Sequence, residues 1–352
     1  PERPRLAAGA ATRFFRDPRG NMVVEAEGAW MLKTYARAAP GPHPEAELLD
    51  YLARGDFRDH VPTPATVLTH TGHDEAPTVL ALLMRHTPGA APAFDLACEG
   101  MTRALESVLA LGPEAAGRPP EPVRLHAAPP RETSRALIRH LGHYHLEMLE
   151  LLGKRMAGLH LALAAETTDE RFAPEPFSLL YQRSANQSMR NLARRTLAAL
   201  RSAIAGLAEA DAALAREAAS AENAMLETIT RLAPTKFTAH KTRLHGDMDL
   251  SRVLFTGKDF VFSDFEGDPD RSVSERRLKR SPLRDVAGMC LSLLLASQAA
   301  AGRLGRLRPE DAPALSPWIE PLAFPAAQAF WSGYRETATG AAFLPASEDA
   351  LW

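Results

Sequence analysis

Cysteine is scarce in this chain: Cys98 and Cys290 are the two among 352 residues. They stand far apart with no CxxC or Cys/His spacing, which excludes a disulfide framework and a zinc site and fits a reducing, cytoplasmic setting. An excess of positive charge is also missing. With 41 Lys and Arg against 43 Asp and Glu, the formal net charge is -2, so the basic balance that phosphate-backbone binding needs is absent and nucleic acid is not expected as a partner. The richest apolar run, Val286 to Ala296, is interrupted by Gly288, Cys290 and Ser292. It falls short of the roughly 18 residues of a membrane span, so no membrane is expected either. The chain opens at Pro1, with no basic segment leading into an apolar stretch, and reads as a piece of something longer without a secretory leader. No GxxxxGK[ST], GxGxxG or GxSxG sequence occurs, which removes the main support for a Walker-type NTPase, a Rossmann dehydrogenase or an α/β-hydrolase.

What is present suggests two lobes, because a single core rarely serves a chain much beyond about 250–300 residues. Residues 1–89 read as a strand-rich unit with one helix. Met22 to Ala26 and Ala29 to Tyr35 are short strand-like runs around a turn at Gly28, and Val67 to His70 and Thr78 to Met84 are two more, the last almost wholly apolar and therefore central. Between them, Glu45 to Leu52 places Leu48, Leu49 and Leu52 on one helical face, with Glu45 and Glu47 in a first turn that favours negative charge. Thr87-Pro-Gly89 ends the unit.

Residues 90–352 read as mainly helical. Helices are predicted over Phe94 to Leu111, Ser134 to Ala165, Ala221 to Leu232, Pro282 to Ala299 and Pro317 to Thr337, with a long helix or helical hairpin over Pro176 to Arg216. A Pro- and Gly-containing linker runs from Gly112 to Pro130. Inside this helical region, residues 242–267 return to short strands: Thr242 to Leu244, Arg252 to Thr256 and Phe260 to Ser263, the last two joined by a tight turn at Gly257.

That island carries the chemistry. His245-Gly-Asp247 follows one of its strands and Asp264-Phe-Glu-Gly267 another, so two carboxylates delivered at neighbouring strand ends can converge on one point. Phosphoryl transfer asks for little more: a base to orient an attacking hydroxyl, which suits Asp247, and a carboxylate to hold Mg²⁺ against nucleotide phosphates, which suits Asp264. Upstream, Lys33 is the only cation inside Trp30-Met-Leu-Lys-Thr-Tyr35 and precedes the helix with Glu45 and Glu47. A strand lysine held by a helix glutamate is how protein-kinase-like folds present an ammonium to the α- and β-phosphates of ATP. Glu47 is the expected partner of Lys33, since Glu45 sits where helix-dipole compensation alone accounts for it.

Several stretches together resemble the maltokinase family, aminoglycoside-phosphotransferase-like kinases often fused behind trehalose synthase. They are Arg243-Leu-His-Gly-Asp-Met-Asp-Leu-Ser-Arg-Val-Leu254, Gly257 through Pro269, Glu275-Arg-Arg277, and Lys279-Arg-Ser-Pro-Leu-Arg-Asp-Val-Ala-Gly-Met289. Support also comes from Leu32-Lys-Thr-Tyr35, Pro40 through Glu47, Leu152-Gly-Lys-Arg-Met-Ala-Gly-Leu-His160, Phe172 through Phe177 and Tyr181-Gln-Arg-Ser184. The resemblance implies a bilobal, protein-kinase-like α+β fold and ATP-dependent phosphorylation of maltose at its anomeric hydroxyl, giving maltose 1-phosphate. It implies Asp247 as catalytic base, Asp264 as Mg²⁺ ligand, Lys33 as phosphate-binding lysine and Asp285 as the anchor of the catalytic loop. A fused trehalose synthase is the partner it suggests.

The chain departs from that family at one telling place. Members read close to His-Gly-Asp-Tyr-His-Leu-Gly-Gln, whereas this chain reads His245-Gly-Asp-Met-Asp-Leu-Ser-Arg252. The family's amide at the last position offers a neutral oxygen to a metal; Arg252 has five donors and no acceptor and cannot ligate Mg²⁺. Two outcomes stay open: Arg252 sets its fixed charge where a second metal would sit, or productive nucleotide binding is lost and the module is a pseudokinase scaffold. Asp249, standing where the family has His, is expected to pair with Arg252 rather than bind metal. Glu266 and Asp268 are either substrate or metal contacts or solvated turn carboxylates. His140, His143 and His145 are expected at the surface, His160 as a hydrogen-bonded core histidine, and Arg183, Arg190, Arg194 and Arg195 as a solvated helix face.

Overall fold

The computed structural model describes residues 11–26, 30–73, 76–85, 87, 89–116, 118–121, 137–231, 238–347 and 351. The predicted turn at Gly28, the stop at Pro88, the linker from Pro122 to Pro130, the helix start at Ser134 and the helix end at Leu232 lie outside the described residues.

Alternating side chains in the first part of the chain build one antiparallel sheet. Its strands are β1 (Thr12–Arg16), β2 (Met22–Ala26), β3 (Trp30–Thr34), β4 (Pro64–His70) and β5 (Thr78–Arg85), in the order β1-β2-β3-β5-β4. β5 lies inside the sheet, as its apolar run predicts, with Val79, Ala81, Leu82 and Met84 buried. In β3, Lys33 is buried while Leu32 and Thr34 on either side face out, and it lies opposite Val23 on one flank and Leu82 on the other. β1 has no counterpart in the sequence reading. It is an edge strand with no fully buried residue, so it carries no hydrophobic alternation to read. Between β3 and β4, helix α1 (Pro44–Leu52) starts on Pro44 with Glu45 and Glu47 in its first turn. Its Leu48, Leu49 and Leu52 are almost wholly buried.

The remainder is mainly helical, so the chain is of mixed α+β class: a small antiparallel N-terminal sheet followed by a large helical part. After β6 (Ala91–Pro92) come α2 (Ala93–Ala116), bent at Gly112 where φ is +72°, and α3 (His143–Ala164). Contacts divide the chain into two compact units. The first comprises residues 1–174 and 242–341, so the lobe boundary expected at residue 89 falls inside it. The second comprises residues 175–241 and 342–352. It holds β7 (Glu175–Pro176), α4 (Leu179–Ala203), α5 (Glu209–Ser220), α6 (Glu222–Arg231) and β8 (His240–Lys241), with β7 paired to β8. The stretch predicted as a long helix or hairpin is thus interrupted, at a 3₁₀ turn over Ile204–Gly206.

The first unit resumes with β9 (Val253–Phe255) and β10 (Phe260–Phe262), which form the predicted hairpin and extend it to β6 in a three-stranded sheet. The strand predicted over Thr242 to Leu244 is reduced to one bridge, Thr242 to Arg280. The following amides explain it: those of His245 and Gly246 are taken by the Asp285 carboxylate instead of a neighbouring strand. Then come α7 (Val273–Arg276), α8 (Leu283–Leu307), α9 (Ala312–Leu315) and α10 (Ile319–Thr337).

Two details of packing matter later. A Cβ on Gly153 would stand 1.9 Å from the Phe330 carbonyl oxygen, and one on Gly333 would stand 2.0 Å from that of Glu150, so α3 and α10 touch backbone to backbone through a reciprocal pair of glycines. His145 and His140 are not at the surface as expected but 2% and 6% exposed. The first lies against Gly100 of α2 and the second against Trp318, and His143 alone of the three faces solvent. By length and composition α8 is apolar enough to cross a membrane, contrary to the expectation from its interrupted run. In the structure it packs against α2 and α10 with Met289, Leu293, Ala296 and Ala300 buried.

Candidate active site

The loop from His245 to Leu250 is held by side chains from below. Asp285, in the first turn of α8 where the helix dipole favours a carboxylate, accepts from the amides of His245 (2.9 Å) and Gly246 (3.0 Å). His160 lies against the same carboxylate (3.4 Å) and against the Tyr334 hydroxyl (2.8 Å), so it is a hydrogen-bonded core histidine as expected. His245 donates from Nε2 to the Ser263 carbonyl (2.8 Å), which leaves Nδ1 to accept from the Asp247 amide (3.3 Å). Burial lowers its pKa against the pull of Asp285, which favours the neutral imidazole that these two hydrogen bonds require, between the loop and the end of β10. Gly288 lets the loop come close: a Cβ there would stand 2.4 Å from the Met248 carbonyl oxygen.

Asp264 follows β10 with a left-handed φ of +68°, which among the other described residues only glycines adopt. An aspartate tolerates this region better than most side chains, and here the backbone turn aims its carboxylate back toward the loop. Asp247 and Asp264 do converge. One guanidinium spans them: Arg252 donates to Asp264 Oδ2 at 2.7 Å and to Asp247 Oδ2 at 3.1 Å. Asp249 lies 3.6 Å from Arg252 Nε, an ion pair rather than a hydrogen bond, and spends its own oxygen on the Ser251 amide at 2.7 Å.

Lys33 reaches the same point from the sheet. Its ammonium contacts Asp264 Oδ1, Glu266 Oε1 at 2.5 Å and Glu45 Oε2 at 3.1 Å. Burial would lower its pKa, but these carboxylates together outweigh burial and hold the ammonium above its usual range. Glu45 is wholly buried among like charges, and its carboxyl is pushed up despite Lys33.

The expected pairing of Lys33 with Glu47 is therefore corrected to Glu45. Glu47 points the other way along α1, to Arg243 at 2.8 Å and to Arg277 at 2.9 Å through each of its oxygens. Position in the turn decides it: Glu45 lies toward the sheet, where Tyr35 also donates to it at 2.9 Å, while Glu47 is two residues, or about 200°, further round the helix. Glu266 is buried and paired with Lys33 and Asn21, so it is no solvated turn carboxylate; Asp268 pairs with Arg284 at 2.9 Å and Arg271 at 3.1 Å.

Arg19 is the site residue the sequence reading missed. Asp17-Pro-Arg-Gly20 has the residues of a type I turn, with Gly20 donating to the Asp17 carbonyl at 2.9 Å, and it links β1 to β2. The turn throws Arg19 across to Asp247 Oδ2 and to the Gly267 carbonyl at 2.6 Å. The Asp-Pro-X-Gly signature was readable in the sequence; without β1 it had no hairpin to belong to.

Whether Mg²⁺ fits can be judged from these contacts. Asp17, Asp264 and Glu266 bring oxygens within 4.8 Å of one another, a donor set that magnesium accepts. Yet Lys33 and Arg252 occupy one oxygen each of Asp264, Lys33 and Asn21 share Glu266 Oε1, and backbone and Asn21 donors take Asp17. The cation these acids hold is already the ammonium, and a fixed guanidinium stands at the second acid. The residues as arranged do not fit a divalent ion.

A cavity of about 860 Å³ opens elsewhere, beyond the Glu47 side of α1 and against Tyr51, Val67, Glu166 and Phe172; neither Asp247 nor Asp264 lines it.

No protein-family model matches the sequence. Among solved structures, the chain is similar to a glucosamine kinase in complex with glucosamine, ADP and inorganic phosphate, with a TM-score of 0.61 and 21% identity over 93% of this chain and 64% of that one. A second crystal form of glucosamine kinase gives 0.60 and 21% over 90% and 63%. These likenesses establish a kinase-like fold, and the chain spans less than two thirds of the length of the kinases it matches.

Proposed function

We propose that this chain is the kinase module of a sugar phosphotransferase that uses ATP. The observation that carries the reading is the single guanidinium in contact with both Asp247 and Asp264, opposite a buried strand lysine: two acids and an ammonium meet at one point. In this reading Asp247 accepts the proton of a sugar hydroxyl as its oxygen bonds to the γ-phosphorus, the bond from that phosphorus to the β,γ-bridging oxygen breaks, and ADP leaves. Lys33 holds phosphate oxygens, and Glu45 keeps its ammonium in place. Asp285 and neutral His245 fix the loop, so the base enters the reaction already oriented. The acceptor favoured by the sequence resemblance is maltose, at its anomeric hydroxyl, with a trehalose synthase domain as the fused partner. The ADP and glucosamine bound by a structural neighbour make a nucleotide and a sugar the ligands to test at these acids.

A second reading has its own support. Arg19 and Arg252 both cover the carboxylate that must accept the proton, which is what a non-transferring scaffold module would tolerate. Product analysis with ATP and a panel of maltose, glucose and glucosamine separates the two. Maltose 1-phosphate is expected, together with a loss of about 10²–10⁴-fold in Asp247→Asn at unchanged circular dichroism. No phosphorylated product from any sugar would favour the scaffold.

A further inference from the structure

Resting on that kinase reading, we infer that Arg19 and Arg252 do the work of a divalent cation here, so that nucleoside di- and triphosphates bind this chain without metal. Two guanidiniums supply the positive charge of one divalent ion, and both stand at the converging carboxylates. Arg252 spans Asp247 and Asp264, where it excludes a second metal by charge and by lacking any acceptor atom. Arg19 descends from the turn between β1 and β2, and in kinases the loop at this place covers the phosphates.

Both arginines have donors to spare. The side chain of Arg19 is 7% exposed and that of Arg252 14%, and the Nε–H of each is buried without a hydrogen-bond partner among the described residues, that of Arg252 facing the Asp249 carboxylate at ion-pair distance, 3.6 Å. A buried charged donor left unsatisfied is costly, and planar guanidinium forks match phosphate oxygens well. A polyphosphate placed over Asp247 would accept from these idle donors and draw Arg19 off the carboxylate that the reaction needs free. The contact by which Arg19 covers the base is the contact that the phosphates exchange for themselves.

Titration of the chain with ADP and with ATP, in EDTA and in excess Mg²⁺, tests this. Affinities within about threefold of each other in the two buffers are expected. Arg252→Gln, which replaces the charge with an amide oxygen, should bind at least about tenfold more weakly in EDTA and recover with Mg²⁺; Arg252→Lys, which keeps the charge and loses the fork, should fall between wild type and Arg252→Gln in EDTA. Arg19→Ala should weaken binding in both buffers. Thermal unfolding of each variant shows whether it is folded. Wild-type binding that needs Mg²⁺ would overturn this inference and leave the kinase reading intact, as would Arg252→Gln binding unchanged in EDTA. No nucleotide binding in either buffer would sink both.

Discussion

Glu45 and Glu47 lie in the same helical turn and hold different parts of the molecule. Glu45 faces Lys33 and Tyr35, at the end of the sheet; Glu47 faces Arg243, just ahead of the loop from His245 to Leu250, and Arg277. Their removal should have opposite signatures. Glu47→Ala strands Arg243, which is 1% exposed and stacks on Phe172 at 5.2 Å, and a buried charge stripped of its partner costs about 3–5 kcal/mol. Glu45→Ala leaves Lys33 with Asp264 and Glu266 still in reach, so stability should fall less, while nucleotide affinity falls because the ammonium is pulled toward those acids. Urea unfolding and ADP titration of the two variants check this, and Glu45→Ala proving the less stable of the pair would reverse the assignment. The sequence reading expected a helix glutamate at Lys33 and chose Glu47 where the structure has Glu45, because helix phase relative to a sheet is a tertiary property.

Runs with an apolar or helix-favouring composition were legible, even in β4 and α6, which have no fully buried residue, and the polar edge strand was not. β2, β5, α1 and the β9–β10 hairpin carry apolar patterns, and the convergence of 247 and 264 was expected from two strand ends, of which only that of β10 is a strand in the structure. β1, polar and at an edge, left no pattern, and with it went Arg19. The close approach of α3 and α10 was equally hidden, since Gly153 and Gly333 look like ordinary helix interruptions until their partners are known. Gly153→Ala or Gly333→Ala would push a methyl group into a backbone carbonyl. Each should destabilise by about 1–3 kcal/mol, whereas Gly206→Ala, with nothing within 4 Å of the new Cβ, should not. Thermal midpoints of the three variants decide it, and equal midpoints would mean the helices separate freely.

At the scale of the molecule, stability should fall between neutral and mildly acid pH. His43 and His145 are buried without hydrogen-bond partners among the described residues. Burial first, then Lys33, Arg276 and Arg19 beside His43 and Arg103 beside His145, lower their pKa to about 3 and about 4. Buried His245 is lowered too. Unfolding returns each to about 6.5, so the unfolded chain binds the extra protons and stability is lost as pH falls below that value. Glu45, raised to about 7 chiefly by burial, works in the opposite direction and offsets one of the three. A net uptake of about one proton on unfolding near pH 5.5 follows from His43, His145 and Glu45, with His245 adding to it; denaturant midpoints at pH 7 and pH 5.5 test it, and a flat profile would place these imidazoles in water. Because α1 grips the sheet with Glu45 and the loop segment with Glu47, neither can drift without dragging the helix along. The two ion pairs act as a tie-rod, and combined replacements of Lys33 and Arg243 should fall short of, or exceed, the sum of their separate effects.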